Sequence, residues 1–160
     1  CVEGLKTVGG DRVVYERLTA GKPVLGVCVG LQVMFAQGTE GGITADGLGL
    51  LGGVVEKLDA DVVPHMGWNT VQAATGTRLL KGLEHERFYF VHSYGVTTPV
   101  DDAPKASILA GSPKNITWCE YGRSRFVAAA EQGPLSVTQF HPEKSAEAGA
   151  QLLRNWIATF

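Results

Sequence analysis

A cysteine flanked by glycines, in Gly26-Val27-Cys28-Val29-Gly30, is the first segment with the residue types for covalent catalysis. It follows a short apolar run from Pro23 to Val27, which predicts a buried strand, and precedes good helix formers from Leu31 to Gln37. A nucleophile in a glycine-flanked turn from strand to helix is typical of a nucleophile elbow. We expect the glycines to permit the turn and the helix start to favour the Cys28 thiolate. The alternative is a buried structural cysteine.

A histidine and a carboxylate two residues apart form the second candidate pair, in Gln139-Phe140-His141-Pro142-Glu143. His141 follows a predicted strand and precedes a helix that Ser145 is placed to cap. A cysteine nucleophile needs a base, and Glu143 is close enough in sequence to bind Nδ1 of that base and fix its tautomer. The residues therefore predict a triad of Cys28, His141 and Glu143, with a solvated His-Pro-Glu loop as the alternative.

Composition excludes several other classes of protein. The 160 residues are 44% hydrophobic and carry 14 Lys and Arg against 16 Asp and Glu, which is typical of a globular protein and leaves no basic excess for nucleic acid or an anionic membrane. No apolar run approaches the roughly 20 residues that span a bilayer. Three sparse cysteines favour a reducing cytoplasm. His65, His85 and His92 show no metal-ligand spacing, so we expect no metal and no cofactor.

One motif is expected to mislead. Residues 47–52 read Gly-Leu-Gly-Leu-Leu-Gly and match the dinucleotide-binding pattern letter for letter. The segment lies in a glycine-rich stretch, residues 38–53, that predicts a loop, and it precedes a predicted strand at Val54 to Leu58. Because the fingerprint requires a strand before it and a helix after it, we do not assign a nucleotide site.

The elements that must position these residues alternate between helix and strand. Short β-like stretches fill the middle of the chain, and a final helix after Ser145 carries an apolar stripe of Leu152, Leu153, Trp156, Ile157 and Phe160. No repeat or linker divides the sequence. We expect one α/β domain over residues 1–160.

The two motifs, in this order along the chain, resemble class I glutamine amidotransferases. Within that family, three more segments resemble the glutaminase subunits of imidazole glycerol phosphate synthase, from histidine biosynthesis. These segments are Val63-Pro64-His65-Met66-Gly67-Trp68-Asn69, Tyr89-Phe90-Val91-His92-Ser93-Tyr94 and His141-Pro142-Glu143-Lys144-Ser145. The resemblance implies a flavodoxin-like α/β fold, with an open, mostly parallel sheet, helices on both faces and a β-rich insertion.

The resemblance also implies a reaction. Cys28 attacks the side-chain amide of glutamine, His141 protonates the departing ammonia, and water then hydrolyses the glutamyl thioester while Glu143 orients His141. The implied substrate-binding residues are Val29, whose N–H is an oxyanion donor, Gln32, Glu40, Ser93 and Tyr94. From the residues alone, Gln32 is equally well interpreted as a helix surface residue and Glu40 as a solvated charge. For Ser93 and Tyr94, the residues alone favour strand-end packing.

A partner follows from the same resemblance, namely a TIM-barrel cyclase subunit that receives the ammonia in a heterodimer. The implied interface residues are His65, Met66, Trp68 and Asn69, and the alternative for Trp68 is packing in its own core.

Two features leave other functions open. The family begins with a segment whose Pro-Gly-Val-Gly-like loop supplies the second oxyanion donor, and none precedes Cys1, so we expect a chain truncated at its N-terminus. The elbow itself serves any acyl transfer. The alternatives are another class I glutaminase, a cysteine peptidase or esterase, and an inactive fragment that binds a partner.

Overall fold

The computed structural model describes residues 2–99 and 106–159, so Cys1 and Phe160 lie outside the described residues. The described α-helices are α1 (Val2–Thr7), α2 (Gly10–Thr19), α3 (Val29–Met34) and α4 (Ala146–Ile157). The described strands are β1 (Val24–Val27), β2 (Phe35–Glu40), β3 (Ile43–Asp46), β4 (Leu51–Lys57), β5 (His65–Thr70), β6 (Arg87–His92), β7 (Tyr94–Val96), β8 (Lys114–Tyr121), β9 (Ser124–Gln132) and β10 (Leu135–Thr138). No helix in this part of the chain is long and apolar enough to cross a membrane.

The strands form three sheets, and their pairing corrects part of the expectation. The orders are β1-β10-β9-β8, β3-β2-β4-β7 and β5-β6. The α/β class is confirmed, but among the described strands parallel pairing is confined to β1 with β10 and β2 with β4. The remaining pairs are antiparallel. In three of them, β2 with β3, β8 with β9 and β9 with β10, a short turn joins the strands and reverses the chain.

The segment after Cys28 also differs from the expectation. The helix ends at Met34 rather than Gln37, because Phe35 begins a strand that pairs with β4. The predicted loop over residues 38–53 therefore contains the rest of β2, all of β3 and the start of β4. Since Leu51 begins a strand and not a helix, the dinucleotide-like motif has the wrong surroundings, as predicted.

Two apolar cores hold these elements, and the second carries the segment before His141. Its aromatic centre is Phe88, Phe90, Phe126 and Phe140, each fully buried. The rings of Phe88 and Phe140 stack with centroids 4.3 Å apart, and Phe90 meets Phe140 edge-on at 5.6 Å. Such contacts contribute about 0.5–1.5 kcal/mol per pair beyond area burial, so they fix where β10 leads into the His141 loop.

Candidate active site

Cys28 occupies a strained turn between β1 and α3. Its backbone has φ 53° and ψ −108°, a region that residues with a side chain rarely adopt. The Cys28 N–H donates to Thr138 O at 2.7 Å, and Cys28 O accepts from the N–H groups of Leu31 and Gln32. These bonds hold a conformation that costs about 1–3 kcal/mol, as is typical of a residue kept for its chemistry.

The two glycines of the elbow are not equivalent. A Cβ on Gly26 would lie 2.7 Å from the carbonyl oxygen of Gly30, closer than real Cβ atoms approach. A Cβ on Gly30 would meet no described atom within 4 Å. The close approach of strand to helix therefore requires Gly26, whereas no contact in the described structure requires glycine at position 30.

The Cys28 thiol is half-buried and does not favour the thiolate in this state, contrary to the expectation from the helix start. Burial raises its pKa above the ordinary value of a cysteine, and the hydrogen bond from the Val29 N–H opposes that effect only in part. The negative charge of Glu143 raises the pKa further, while Lys144 and Gln139 lower it. To act as a nucleophile, Cys28 would consequently need a base that removes its proton.

His141 is bound to Glu143 as the sequence predicts. Nδ1 of His141 and Oε1 of Glu143 lie 2.6 Å apart, with the carboxylate half-exposed and the imidazole mostly covered. Burial alone would raise the pKa of the Glu143 carboxyl, but hydrogen bonds from His141 and from its own backbone N–H outweigh it and the pKa is lowered. An ionised Glu143 accepts only, so Nδ1 of His141 carries the proton and Nε2 is free to act as a base.

The other ring nitrogen of His141, Nε2, makes no hydrogen bond in the described structure. Nε2 is buried and has no hydrogen-bond partner within residues 2–99 and 106–159, so it is not bonded to the Cys28 sulfur in this state. An unpaired buried nitrogen costs about 1–3 kcal/mol. Catalytic hydrogen bonds often tighten when substrate binds, which is consistent with an atom kept available for a proton.

Ser145 fixes the His141 loop instead of capping the helix as expected. Its hydroxyl donates to His141 O at 2.6 Å and accepts from Tyr89 N at 3.0 Å, and in the described structure it makes no capping bond. The His141 N–H donates to Tyr89 O at 2.9 Å. The backbone of His141 is therefore fastened on both sides to β6, which the sequence pattern did not reveal.

Gln139 is the contact to Cys28 that the sequence analysis missed. Its Nε2 lies 3.7 Å from the Cys28 sulfur, and its Oε1 accepts from Gln32 Nε2 at 3.1 Å. Gln32 Nε2 also donates to Tyr94 O at 2.9 Å. The available signal was position, since Gln139 directly follows β10 and β10 pairs with the strand that precedes Cys28.

A cavity of about 930 Å³ adjoins the elbow. Four of the expected substrate residues line it, namely Val29, Gln32, Glu40 and Tyr94. Ser93, Cys28 and His141 are not among its described lining residues, and the Ser93 carbonyl is used by the N–H of Leu58. The cavity thus reaches the elbow through Val29, the residue next to Cys28.

No three side chains of His, Cys, Asp or Glu in the described part of the chain lie together as metal ligands.

Comparison with known proteins identifies the family of this site. Residues 4–159 match the model of the class-I glutamine amidotransferases. The chain belongs to that family. It is 62% identical over 161 aligned residues to the imidazole glycerol phosphate synthase subunit HisH of Bifidobacterium longum, covering 99% of this chain and 75% of the relative. The HisH subunit of Corynebacterium diphtheriae is 54% identical, with 98% and 73% covered.

Solved structures agree at the level of the fold. A glutamine amidotransferase crystal structure matches 95% of this chain and 70% of its own chain, with TM-score 0.61 and 14% identity. A glutamine amidotransferase from Thermotoga maritima matches 94% of this chain and 51% of its own, with TM-score 0.54 and 16% identity. The family, the enzyme class and the amidotransferase-like α/β fold predicted from the sequence are confirmed.

The strand expected to face a partner, β5, is split between surface and core. Met66 and Trp68 are exposed by 61% and 44%, whereas His65 is 3% exposed and is not a surface residue. The His65 ring stacks between the rings of Phe90 and Tyr121, whose centroids lie 4.7 and 4.1 Å from its own. Alternation along β5 explains the correction, because successive side chains point to opposite faces of a strand.

His65 belongs to a buried polar chain. Its Nδ1 lies 3.1 Å from His92 Nε2, its Nε2 lies 3.3 Å from Asn69 Nδ2, and His92 Nδ1 lies 2.8 Å from Tyr94 O. Burial lowers the pKa of both imidazoles to about 4. Both rings are therefore neutral near pH 7, and Asn69 is held by this chain and by Glu120 O rather than presented freely at the surface.

Acid should destabilise the fold through this pair. In the folded chain the pKa values of His65 and His92 lie below the value of about 6.5 that a histidine has in the unfolded chain. As pH falls from 6.5 toward 4, these imidazoles are therefore protonated in the unfolded chain but stay neutral in the folded chain, which lowers the free energy of unfolding. We expect a loss of up to about 3 kcal/mol per imidazole, measured by urea unfolding across that range. His92→Asn should flatten the pH dependence, whereas His85→Asn, at an exposed site, should not. Parallel curves for wild type and His92→Asn would contradict the assignment.

Proposed function

We propose that Cys28, His141 and Glu143 form the catalytic triad of a single glutaminase domain, which hydrolyses glutamine to glutamate and ammonia. The observation that carries the proposal is the placement of the two motifs. The strained elbow of Cys28 follows β1, the bonded pair of His141 and Glu143 follows β10, and these two strands are parallel neighbours.

The first half of the reaction begins with proton transfer, because the pKa of the Cys28 thiol is raised. Nε2 of His141 accepts the thiol proton, and the sulfur attacks the side-chain amide carbon of glutamine. The oxyanion that develops is met by the Val29 N–H, directly after the nucleophile. His141 returns its proton to the nitrogen, the carbon–nitrogen bond breaks, and ammonia leaves a glutamyl thioester on Cys28.

The second half uses the same groups in the opposite direction. His141 removes a proton from water, the hydroxide adds to the thioester carbon, and glutamate departs as the sulfur recovers a proton from His141. Glu143 holds Nδ1–H throughout and stabilises the imidazolium that forms twice in each cycle.

Substrate recognition is assigned to the cavity beside Val29. Both N–H groups of the Gln32 amide are already used, so only its oxygen remains to accept from the α-ammonium group of glutamine. Glu40 lines the same cavity with a carboxylate of the required sign, and Tyr94 forms part of the wall. These three residues suit the amino-acid end of the substrate.

The names of the relatives extend the proposal to a partner. We infer that the ammonia passes to a TIM-barrel cyclase subunit in a cytoplasmic heterodimer, and that the chain takes no cofactor and binds neither nucleic acid nor membrane. Exposed Met66 and Trp68 on β5 supply an apolar surface for the partner. The net charge of −2 is consistent with the absence of nucleic acid.

Replacing the nucleophile tests the reaction. Cys28→Ala should lower glutaminase turnover by about 10³-fold or more, because the covalent route is lost. Cys119→Ala is the matched control, since Cys119 is a buried cysteine on β8 that donates to Thr70 O. It should stay within a few-fold of wild type when glutamate release is followed. Comparable losses in both variants would refute the triad.

Truncating the exposed aromatic residue on β5 tests the partner surface. Trp68→Ala should weaken binding of the cyclase subunit by more than about 1 kcal/mol in titration calorimetry, because aromatic anchors dominate interfaces. Val62→Ala, at another exposed apolar site, should leave the dissociation constant unchanged. An unchanged dissociation constant for Trp68→Ala, together with a lowered melting temperature, would show that Trp68 stabilises the fold by packing against Tyr89 and does not bind the partner.

A further inference from the structure

The carbonyl oxygen of Tyr94 determines the direction of a hydrogen-bond network that reaches the nucleophile. It lies 2.9 Å from Gln32 Nε2 and 2.8 Å from His92 Nδ1. A carbonyl oxygen only accepts, so both nitrogens donate. This identifies the amide nitrogen of Gln32 without ambiguity and requires the proton of neutral His92 to sit on Nδ1.

The orientation of the Gln32 amide in turn fixes the orientation of the Gln139 amide. With its nitrogen placed at Tyr94 O, Gln32 has one further N–H, which donates to Oε1 of Gln139 at 3.1 Å. The oxygen of the Gln139 amide is thereby occupied and its nitrogen faces the Cys28 sulfur at 3.7 Å. Gln139 is completely buried, so water does not compete for this N–H.

The hydrogen-bond directions are also fixed in the imidazole pair of His92 and His65, on the side of the network away from Cys28. Because His92 is protonated on Nδ1, its Nε2 accepts, and Nδ1 of His65 must be the donor. Nε2 of His65 then accepts from the Asn69 amide. Every hydrogen in the network therefore has one position that is compatible with all of these bonds. A fully satisfied network of this kind holds the Tyr94 carbonyl rigidly, and Gln32 is hydrogen-bonded to that carbonyl.

We propose that Gln139 is a further active-site residue that donates a hydrogen bond from Nε2 to the Cys28 thiolate, and that Gln32 and the Tyr94 carbonyl are the positioning groups that orient it. The inference rests on the proposed role of Cys28 as the nucleophile. Gln139 immediately follows β10 and its own N–H donates to Ala128 O at 2.7 Å, so its backbone is fixed by the sheet.

A neutral donor suits the charges around this sulfur. Burial and the carboxylate of Glu143 both oppose the thiolate, whereas Lys144, the Val29 N–H and Gln139 favour it. Lys144 is exposed, and its effect is screened by salt. The Val29 N–H is also needed by the oxyanion of the reacting amide. Gln139 is thus a buried side-chain donor that stays with the sulfur through the cycle, because an amide neither gains nor loses a proton.

Alkylation of Cys28 tests the donor without requiring glutaminase activity. Iodoacetamide labelling of the Cys28 peptide is followed by mass spectrometry as a function of pH in wild type, Gln139→Met and Gln139→Glu. Removing the donor in Gln139→Met should lower the labelling rate at pH 7 by about 3- to 10-fold, since one pKa unit is a tenfold change in thiolate. Gln139→Glu, which also adds a negative charge, should lower it more than 10-fold. Both should recover the wild-type rate at high pH.

Controls separate this effect from general damage. Gln151→Glu makes the same chemical change on α4, where its Oε1 accepts from Arg154, and should leave the profile unchanged. Cys119, whose pKa burial raises to about 12, should stay unlabelled while the fold is intact. A wild-type profile in both folded Gln139 variants would overturn the proposal, while loss of glutaminase activity in Cys28→Ala would still support the triad.

A crystal structure of the wild-type chain tests the proposal even when a variant does not fold. A crystal structure should show Nε2 of Gln139 within hydrogen-bond distance of the Cys28 sulfur and Oε1 bonded to Gln32. A Gln139 amide turned away from the sulfur would overturn the inference.

Discussion

Parallel pairing of β1 with β10 is the constraint on which the site depends. In parallel neighbours the carboxyl ends lie at one edge of the sheet, so the residues that follow each strand meet there. Cys28 follows β1, and Gln139 to His141 follow β10. The bond from Cys28 N to Thr138 O extends the ladder one residue past the strand, which fixes the position of Cys28 at this edge of the sheet.

The proposed catalytic residues carry energetic costs that the surrounding structure offsets. Cys28 has a positive φ, and Nε2 of His141 lacks a partner in the described structure, each unfavourable by about 1–3 kcal/mol. Stacking of Phe140 on Phe88 and the two bonds of Ser145 hold the His141 loop against β6. Unfavourable features at Cys28 and His141 within a packed frame are typical of a preorganised active site.

Sequence reasoning predicted the elbow and the contact between His141 and Glu143 better than the residues around them. The elbow and the His-Pro-Glu pair were predictable because each needs specific residue types at short spacing, and the contact of His141 with Glu143 followed from two residues of separation. Gln139, Ser145 and the burial of His65 depend on which strands become neighbours, and strand pairing is not encoded in local spacing. The thiol of Cys28 was misjudged because the helix start was weighed without the burial that opposes it. The helix after Cys28 was overextended because pairing with β4 outweighs the helix propensity of Phe35 to Gln37.

Covalent labelling at the nucleophile is the most direct test of this account. A glutamine analogue with a diazoketone in place of the side-chain amide alkylates a sulfur that attacks where glutamine binds. Peptide mapping after inactivation should place the adduct on Cys28, glutamine should protect it, and Cys119 should remain unmodified. Inactivation with the adduct on another residue, or glutamine turnover that persists after Cys28 is fully alkylated, would contradict the account.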